Sequence, residues 1–245
     1  MELVNPWGGT ILHRAVTSST MEDARLLEDS GAPGGSVVWA DFQTEGRGRM
    51  AQRRWESPPG GALLATFFWQ EHQFRVAQFA PSLLVALGVL EWLCHYPVPG
   101  RFCVKWPNDV LYEAPDPSVE AVKLAGILTI VRWRSKALSI HVGVGVNLQP
   151  PPEGSYRRAA GSLAALGITL SPSSALQQLM LAMKEAFQDP DPRTRLEMSL
   201  WKRGEEATWE TSSGEKITGR VEGLTAEGHL VLKTSGGMRT LTSGE

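Results

Sequence analysis

Four arginines fall within eight residues of this chain, at Arg47, Arg49, Arg53 and Arg54, and the first two alternate with Gly46 and Gly48. Guanidinium forks match carboxylate and phosphate oxygens, and glycine lets backbone N–H groups come close to an anion. Such a loop can enclose a ligand that carries both groups, although a solvated basic loop would have the same composition. A second stretch, Lys105-Trp106-Pro107-Asn108-Asp109, sets a cation, an indole, an amide and a carboxylate around a proline turn. Pro-Asn-Asp alone describes a hairpin corner, and what gives this one chemical interest is the company of the arginines. Lys123 is the third: it leads the apolar run Leu124 to Leu128. An unpaired ammonium is costly to desolvate, so this lysine must reach solvent or meet an anion. No Gly-x-x-x-x-Gly-Lys-Ser/Thr run occurs. A nucleotide would therefore need another phosphate-binding device, and the arginine loop is the strong candidate.

The elements that must position these groups are legible from period and punctuation. Ile11 to Ala15 is a short apolar segment, and Thr17-Ser18-Ser19-Thr20 before Met21-Glu22-Asp23 predicts a helix start with acidic residues in its first turn. That helix is expected to run to about Ser30 and stop at Gly31. Ser19 and Thr20 serve as caps, and the same cap leaves N–H groups and hydroxyls able to hold a small polar ligand. Val37 to Phe42 reads as a strand that delivers Gln43, and Ala62 to Trp69 as a buried strand. Apolar residues at helical spacing predict a helix from Val76 to about His95. Phe102 to Val104 and Val110 to Tyr112 flank the Lys105–Asp109 corner as strands, with Trp106 ending the first because the residue before proline is biased towards extended geometry.

A hairpin is expected from Lys123 to Trp133 and Leu138 to Val146, turning at Arg134-Ser135-Lys136. Gly143 and Gly145 near its end leave room for something to pack against the backbone. Between the corner and the hairpin, Glu113 to Ala121 is an exposed Pro- and Asp-containing loop. Helices follow at Ser162–Leu166, Ser173–Phe187 and Pro192–Arg203. From Glu206 the period becomes two, with turns at Ser213-Gly214, Glu227-Gly228 and Gly236-Gly237, which predicts a small β-barrel.

Composition sets the outer bounds. With 245 residues, 42% of them hydrophobic and 20% charged, the chain can bury a sizeable core as one large domain or one plus a small one. A net charge of −2 argues against general nucleic-acid affinity. Cys94 and Cys103 are the only cysteines, and no basic leader precedes an apolar core, so a cytoplasmic, reducing environment is expected. The longest apolar stretch, Phe79 to Cys94, is interrupted by Pro81, Ser82 and Glu91 and too short to span a bilayer, so no membrane association is expected. Five scattered histidines lack ligand spacing, so no structural metal is expected.

Taken together, Ser19-Thr20, Gln43, Gly46-Arg47-Gly48-Arg49, Trp55, Lys105–Asp109, Lys123–Leu128 and Gly143–Asn147 resemble the biotin–protein ligases, in that family's order. The resemblance implies an α+β fold: a mixed-sheet catalytic domain of the biotin/lipoate ligase type over residues 1–203 and an SH3-like barrel over 204–245. It implies that biotin and ATP give biotinyl-AMP and pyrophosphate, and that the acyl group then moves to a lysine of a biotin carboxyl carrier domain, with Mg²⁺ accompanying ATP. Ser19, Thr20 and Gln43 would hold the biotin head. Arg47, Gly48 and Arg49 would clamp carboxylate and α-phosphate, and Lys123, with Gly126 beside it, would hold the acyl-phosphate junction. Lys105, Trp106, Asn108 and Asn147 would lie at the nucleotide, and Asp109 near the incoming lysine or Mg²⁺. Catalysis would rest on Arg49, Lys123 and Asp109. Only 18 residues precede Ser19, too few for a winged helix, so no DNA partner is expected; a homodimer is left open.

Three features depart from the family pattern. Met50-Ala51-Gln52 stands where a further glycine is usual, the stretch between Asp109 and Lys123 is longer, and Thr129-Ile130 replaces a common acidic residue. Lipoate ligases share the fold, and a non-catalytic regulator that binds biotin or carrier is the remaining alternative; intact Arg49 and Lys123 argue against the latter.

Overall fold

The structure, a computed structural model, describes residues 2–49, 53–70, 79–134, 137–153, 159–211 and 213–244. A seven-stranded sheet runs in the order β1-β2-β3-β7-β6-β5-β4. Its strands are β1 (Ile11–Thr17), β2 (Ser36–Gln43), β3 (Ala62–Gln70), β4 (Arg101–Lys105), β5 (Asp109–Glu113), β6 (Val122–Arg134) and β7 (Ala137–Asn147). Only β1 and β2 pair in parallel; all other neighbours are antiparallel. The near-continuous apolar run of β3 follows from its central place, because both faces of that strand are covered.

Helix α1 (Thr20–Asp29) covers one face above β2, β3 and β7. Its start obeys the cap rules: the Ser19 hydroxyl accepts from the Met21 amide, and Glu22 and Asp23 sit in the first turn. Ser30 closes the helix and Gly31 takes a positive φ of 95°, which only glycine adopts without strain. On the other face lie α2 (Pro81–Cys94) and α3 (Pro172–Gln188). Helix α2 is apolar almost all round because the sheet lies on one side and α3 on the other. A Cβ on Gly88 would stand 2.6 Å from Met183 Cγ, so the two helices approach at a position only glycine allows. Each fully buried leucine or phenylalanine here contributes about 1.5–3 kcal/mol of transfer free energy.

Helix α2 begins at Pro81, in keeping with proline's preference for the first turn; the expected start at Val76 lies outside the described residues, as does the Ser135-Lys136 turn. Other expectations need correcting. Ser162–Leu166 is a single 3-10 turn, Ala164–Leu166. Helix α4 (Pro192–Met198) is shorter than Pro192–Arg203. Its continuation is taken by the sheet edge: the Val104 amide donates to Ser199 O at 2.8 Å and the Trp201 amide donates to Val104 O at 2.9 Å. β4 ends at Lys105, and Trp106 opens the turn through a cis peptide bond to Pro107.

A second sheet of four antiparallel strands follows in the order β11-β10-β9-β8, built from β8 (Glu206–Glu210), β9 (Lys216–Leu224), β10 (Leu230–Thr234) and β11 (Gly237–Leu241). Its inward residues, among them Trp209, Val221 and Leu232, join the same continuous core as α2 and the large sheet. No helix among the described residues is long and apolar enough to cross a membrane.

Candidate active site

Two neighbouring strands, β6 and β7, bring their glycines to one place beside β3. Across the large sheet, Leu64 of β3 pairs with Gly145 of β7, which pairs with Gly126 of β6; the next row is Thr66, Gly143 and Leu128. Paired residues share a face, so these two rows form a shallow floor beneath the first turn of α1. A pocket opens there between Ser19, Thr20 and Gln43 on one side and Arg47 and Trp55 on the other.

The α1 side is internally wired. Gln43 Oε1 accepts from the Thr20 amide at 2.7 Å and the Thr20 hydroxyl at 2.9 Å. Thr20 Oγ1 is also 2.9 Å from the hydroxyl of Thr66, which is buried in the floor. With its oxygen committed, Gln43 presents its amide nitrogen towards Gly46, where a Cβ would stand 3.2 Å from it. Local spacing could not have revealed Thr66. A threonine in an apolar strand reads as β-propensity, and its partner lies 46 residues away.

On the opposite side the indole of Trp55 lies over Gly145 and Gly126. A Cβ on Gly145 would meet the ring at 2.5 Å, and one on Gly126 at 2.9 Å. The strand glycines are therefore the space that the indole occupies. The ends of the arginine loop are paired: the Trp55 amide donates to Gly46 O and the Gly48 amide to Arg53 O, at 3.0 and 2.8 Å. Arg47 faces the pocket, whereas Arg49 Nη2 donates to Gly244 O, beyond β11, at 2.6 Å. The tip, Met50-Ala51-Gln52, lies outside the described residues.

Lys123 meets the anion that its sequence position requires. Its Nζ stands 2.7 Å from Asp109 Oδ1, and both side chains are largely shielded from solvent. The same Nζ is 3.1 Å from where a Cβ of Gly126 would be and 5.7 Å from the Trp55 ring centre, which sets the cation at the pocket rim.

The Lys105–Asp109 corner divides in two. Asn108 and Asp109 face the large sheet: Asn108 Nδ2 donates to Ile127 O at 2.8 Å, and the Ile127 amide donates back to Asn108 O at 2.8 Å. Lys105 and Trp106 face the small sheet instead. Trp106 is buried, its indole N–H donates to Gly228 O at 2.9 Å, and its ring lies edge-on to Trp209. Lys105 Nζ stands 5.0 Å from the Trp209 ring centre and 6.0 Å from that of Trp201. Of the residues expected at a nucleotide, Trp106 is thus buried between the two sheets, and Asn147 is buried with its amide donating to Gly161 O at 2.9 Å. Among the described residues no cluster of three metal-ligating side chains occurs.

A model of the biotin/lipoate A/B protein ligase family matches residues 14–147, more than half of the chain and all of the floor just described. The chain belongs to that family. A model of the biotin protein ligase C terminal domain matches residues 204–245. Among curated relatives, the bifunctional ligase/repressor BirA of Bacillus subtilis is 28% identical over 97% of this chain and 74% of its own length. The chloroplastic biotin–protein ligase 1 of Arabidopsis thaliana is 37% identical over 53% of this chain and 34% of its own. In structure, the biotin protein ligase of Aquifex aeolicus, solved in complex with biotin and ATP, matches with a TM-score of 0.74 at 25% identity, covering 96% of this chain and 97% of that one. In this chain the pocket lining is drawn from α1, β2, β3, β6, β7 and the segment after β2, with Lys123 beside Gly126 and Trp55.

Proposed function

We propose that this chain is an ATP-dependent biotin–protein ligase. The carrying observation is the placement of the Lys123–Asp109 pair at the rim of a narrow, glycine-floored pocket whose inner end is built from neutral hydrogen-bonding groups. Such a pocket suits an uncharged polar head with an aliphatic tail, and its rim suits the carboxylate at the tail's end. Ser19, Thr20 and Gln43 hold the head. Biotin's carboxylate oxygen attacks the α-phosphorus of ATP, the bond to pyrophosphate breaks, and biotinyl-AMP remains. Arg47, the Gly48 backbone and Arg49 supply donors to the carboxylate and α-phosphate, and Lys123 neutralises charge where the acyl-phosphate forms.

In the second step the amine of a carrier-domain lysine attacks the acyl carbon, AMP leaves with the bonding pair, and the amine's proton is released. Asp109 holds Lys123 before the substrates arrive and lies next to the incoming amine afterwards. Asn147, Asn108 and Lys105 border the adenylate side. A single carboxylate that is already ion-paired does not build a resident magnesium site; Mg²⁺, which favours phosphate oxygens, arrives with ATP.

Pyrophosphate exchange into ATP tests this reading, because adenylation needs no carrier. Exchange that depends on biotin is the expected result. Exchange that is equally fast with lipoate would keep the ligase chemistry and overturn the substrate. Mass spectrometry of a carrier domain incubated with the protein, ATP and biotin then reads the transfer step.

A further inference from the structure

One row behind the pocket floor the sheet carries Phe68, His141 and Ile130, paired across β3, β7 and β6. His141 therefore shares its face with Gly143 and Gly145 and lies directly behind the floor. Above it comes the far end of α1, whose Glu28 carboxylate accepts from His141 Nε2 at 2.9 Å; the two side chains are 6% and 1% exposed. Phe68 stacks on the imidazole at 5.5 Å, and Arg132 of β6 approaches Glu28 at 3.9 Å. The apolar layer beneath α1 is small: its buried members are Ala24, Val38 and Phe68, with Leu12, Leu27 and Ala32 partly buried against them, a cluster separate from the main core. A helix with so little apolar adhesion depends on its polar ties for its place. One tie, Thr20 to Gln43 and Thr66, belongs to the pocket itself. Asp23 meets Arg14 of β1 at 3.8 Å, and the deeply buried tie at the far end is Glu28 to His141, 113 residues apart in the chain.

We propose that the buried Glu28–His141 pair is the positioning device of the ligand pocket. It pins the far end of α1 to β7 and so holds the Ser19–Met21 wall at its distance from Gly143, where Met21 Cε already stands 3.2 Å from a Cβ built on that glycine. Neither residue touches the ligand; they act through α1. This rests on the biotin reading only for the choice of ligand, since the wall and its tie exist without one.

The decisive variant replaces both partners, Glu28→Leu with His141→Leu, because removing both polar groups of the pair loses the directional tie without leaving either partner facing an empty place; Arg132, which approaches Glu28 at 3.9 Å, is partly exposed and keeps access to solvent. Two readouts are taken on the full chain. In the ligand-free protein, hydrogen exchange at the Thr20 and Met21 amides is expected to speed up about tenfold relative to wild type. In pyrophosphate exchange, KM for biotin is expected to rise about fivefold while kcat and KM for ATP stay within about twofold, and Glu28→Gln, which keeps a hydrogen-bonding partner for His141, is expected to remain near wild type. A folded double variant with wild-type exchange at Thr20 and wild-type KM for biotin overturns the proposal. Should the double variant not fold, Glu28→Asp, shorter by one methylene, is read in the same two assays with the same criteria. If wild type shows no biotin-dependent activity, the substrate reading fails and the exchange measurement alone still decides the positioning role.

Discussion

The two sides of the pocket are held in different ways. At the α1 side Thr20 is tied to Gln43 and to the buried Thr66, and behind them Glu28 is tied to His141. At the rim the charged groups are held by partners from elsewhere, Lys123 by Asp109 and Arg49 by a backbone carbonyl of Gly244. A pre-wired inner end lowers the ordering cost of binding a neutral head. A rim of ionic and inter-sheet contacts can exchange those partners for substrate oxygens when the anion arrives. On the proposed reading the division separates affinity from chemistry, and it is the division that mutations should reveal.

The largest effect is expected at the rim. On the proposed reading, Lys123→Ala removes a charge-assisted contact to the developing acyl-phosphate, worth about 1.5–3 kcal/mol or more. Adenylation should therefore fall by about one to two orders of magnitude. Because Asp109 then loses its partner, the melting temperature should drop by a few degrees, on the scale of ~2–4 °C per kcal/mol for a chain of this size. Biotin binding by calorimetry should change far less than the rate. A variant that melts much earlier yet keeps normal turnover would assign Lys123 to structure and dissolve the contrast.

Arg49→Ala comes next. If, as proposed, its guanidinium leaves Gly244 for the substrate anion once both carboxylate and phosphate are present, retention of biotinyl-AMP should weaken by about tenfold and that of free biotin by less than about twofold. Leaked adenylate acylates lysines of bystander proteins, which a streptavidin blot reads directly. Equal losses for biotin and biotinyl-AMP would place Arg49 at the inner end of the pocket.

Much of this arrangement was legible in the chain, and the limits have a physical cause. The β3 run, the α1 cap, the corner at Pro107 and the half-buried lysine at the head of β6 are local signals, set by propensity, caps and desolvation cost within a few residues. Lys123 needed an anion, and Asp109 supplies it. Contacts that pair distant segments were not legible. Trp106 sits in a motif expected at a nucleotide, yet its indole is spoken for by Gly228 and Trp209, more than 100 residues later. Helix α4 stops at Met198 because Ser199 and Trp201 find hydrogen bonds on the edge of β4, which no local pattern encodes. Thr66 and His141 look like ordinary strand residues until α1 is laid over them.

The inner end gives smaller effects of the opposite kind. Thr66→Val keeps shape but removes one hydroxyl of a buried pair, so about 1 kcal/mol of stability should go with it. Thr20 retains Gln43, and KM for biotin should rise only about two- to fivefold with kcat preserved. A fall in kcat with unchanged KM would mean that the inner end takes part in chemistry.

The smallest effect is one of pH, and its sign follows from burial. Desolvation pushes His141 below the ordinary histidine value, and this outweighs the opposing pull of its hydrogen bond to Glu28; Arg132 lowers it further and Asp29 raises it. The unfolded chain therefore takes up the proton more readily than the folded one. Stability from this site is complete above the unfolded value of about 6.5 and is lost progressively as pH falls through that value towards the lower folded one. The melting temperature of wild type should fall between about pH 7.5 and pH 5.5, and the Glu28→Leu, His141→Leu double variant should lose less over the same interval. Equal losses would mean that other groups carry the acid sensitivity. A steeper loss in the double variant would mean that the pair is stronger in its charged form, in which case the inner end of the pocket is held by an ion pair as the rim is, and the two sides differ only in their exposure to solvent.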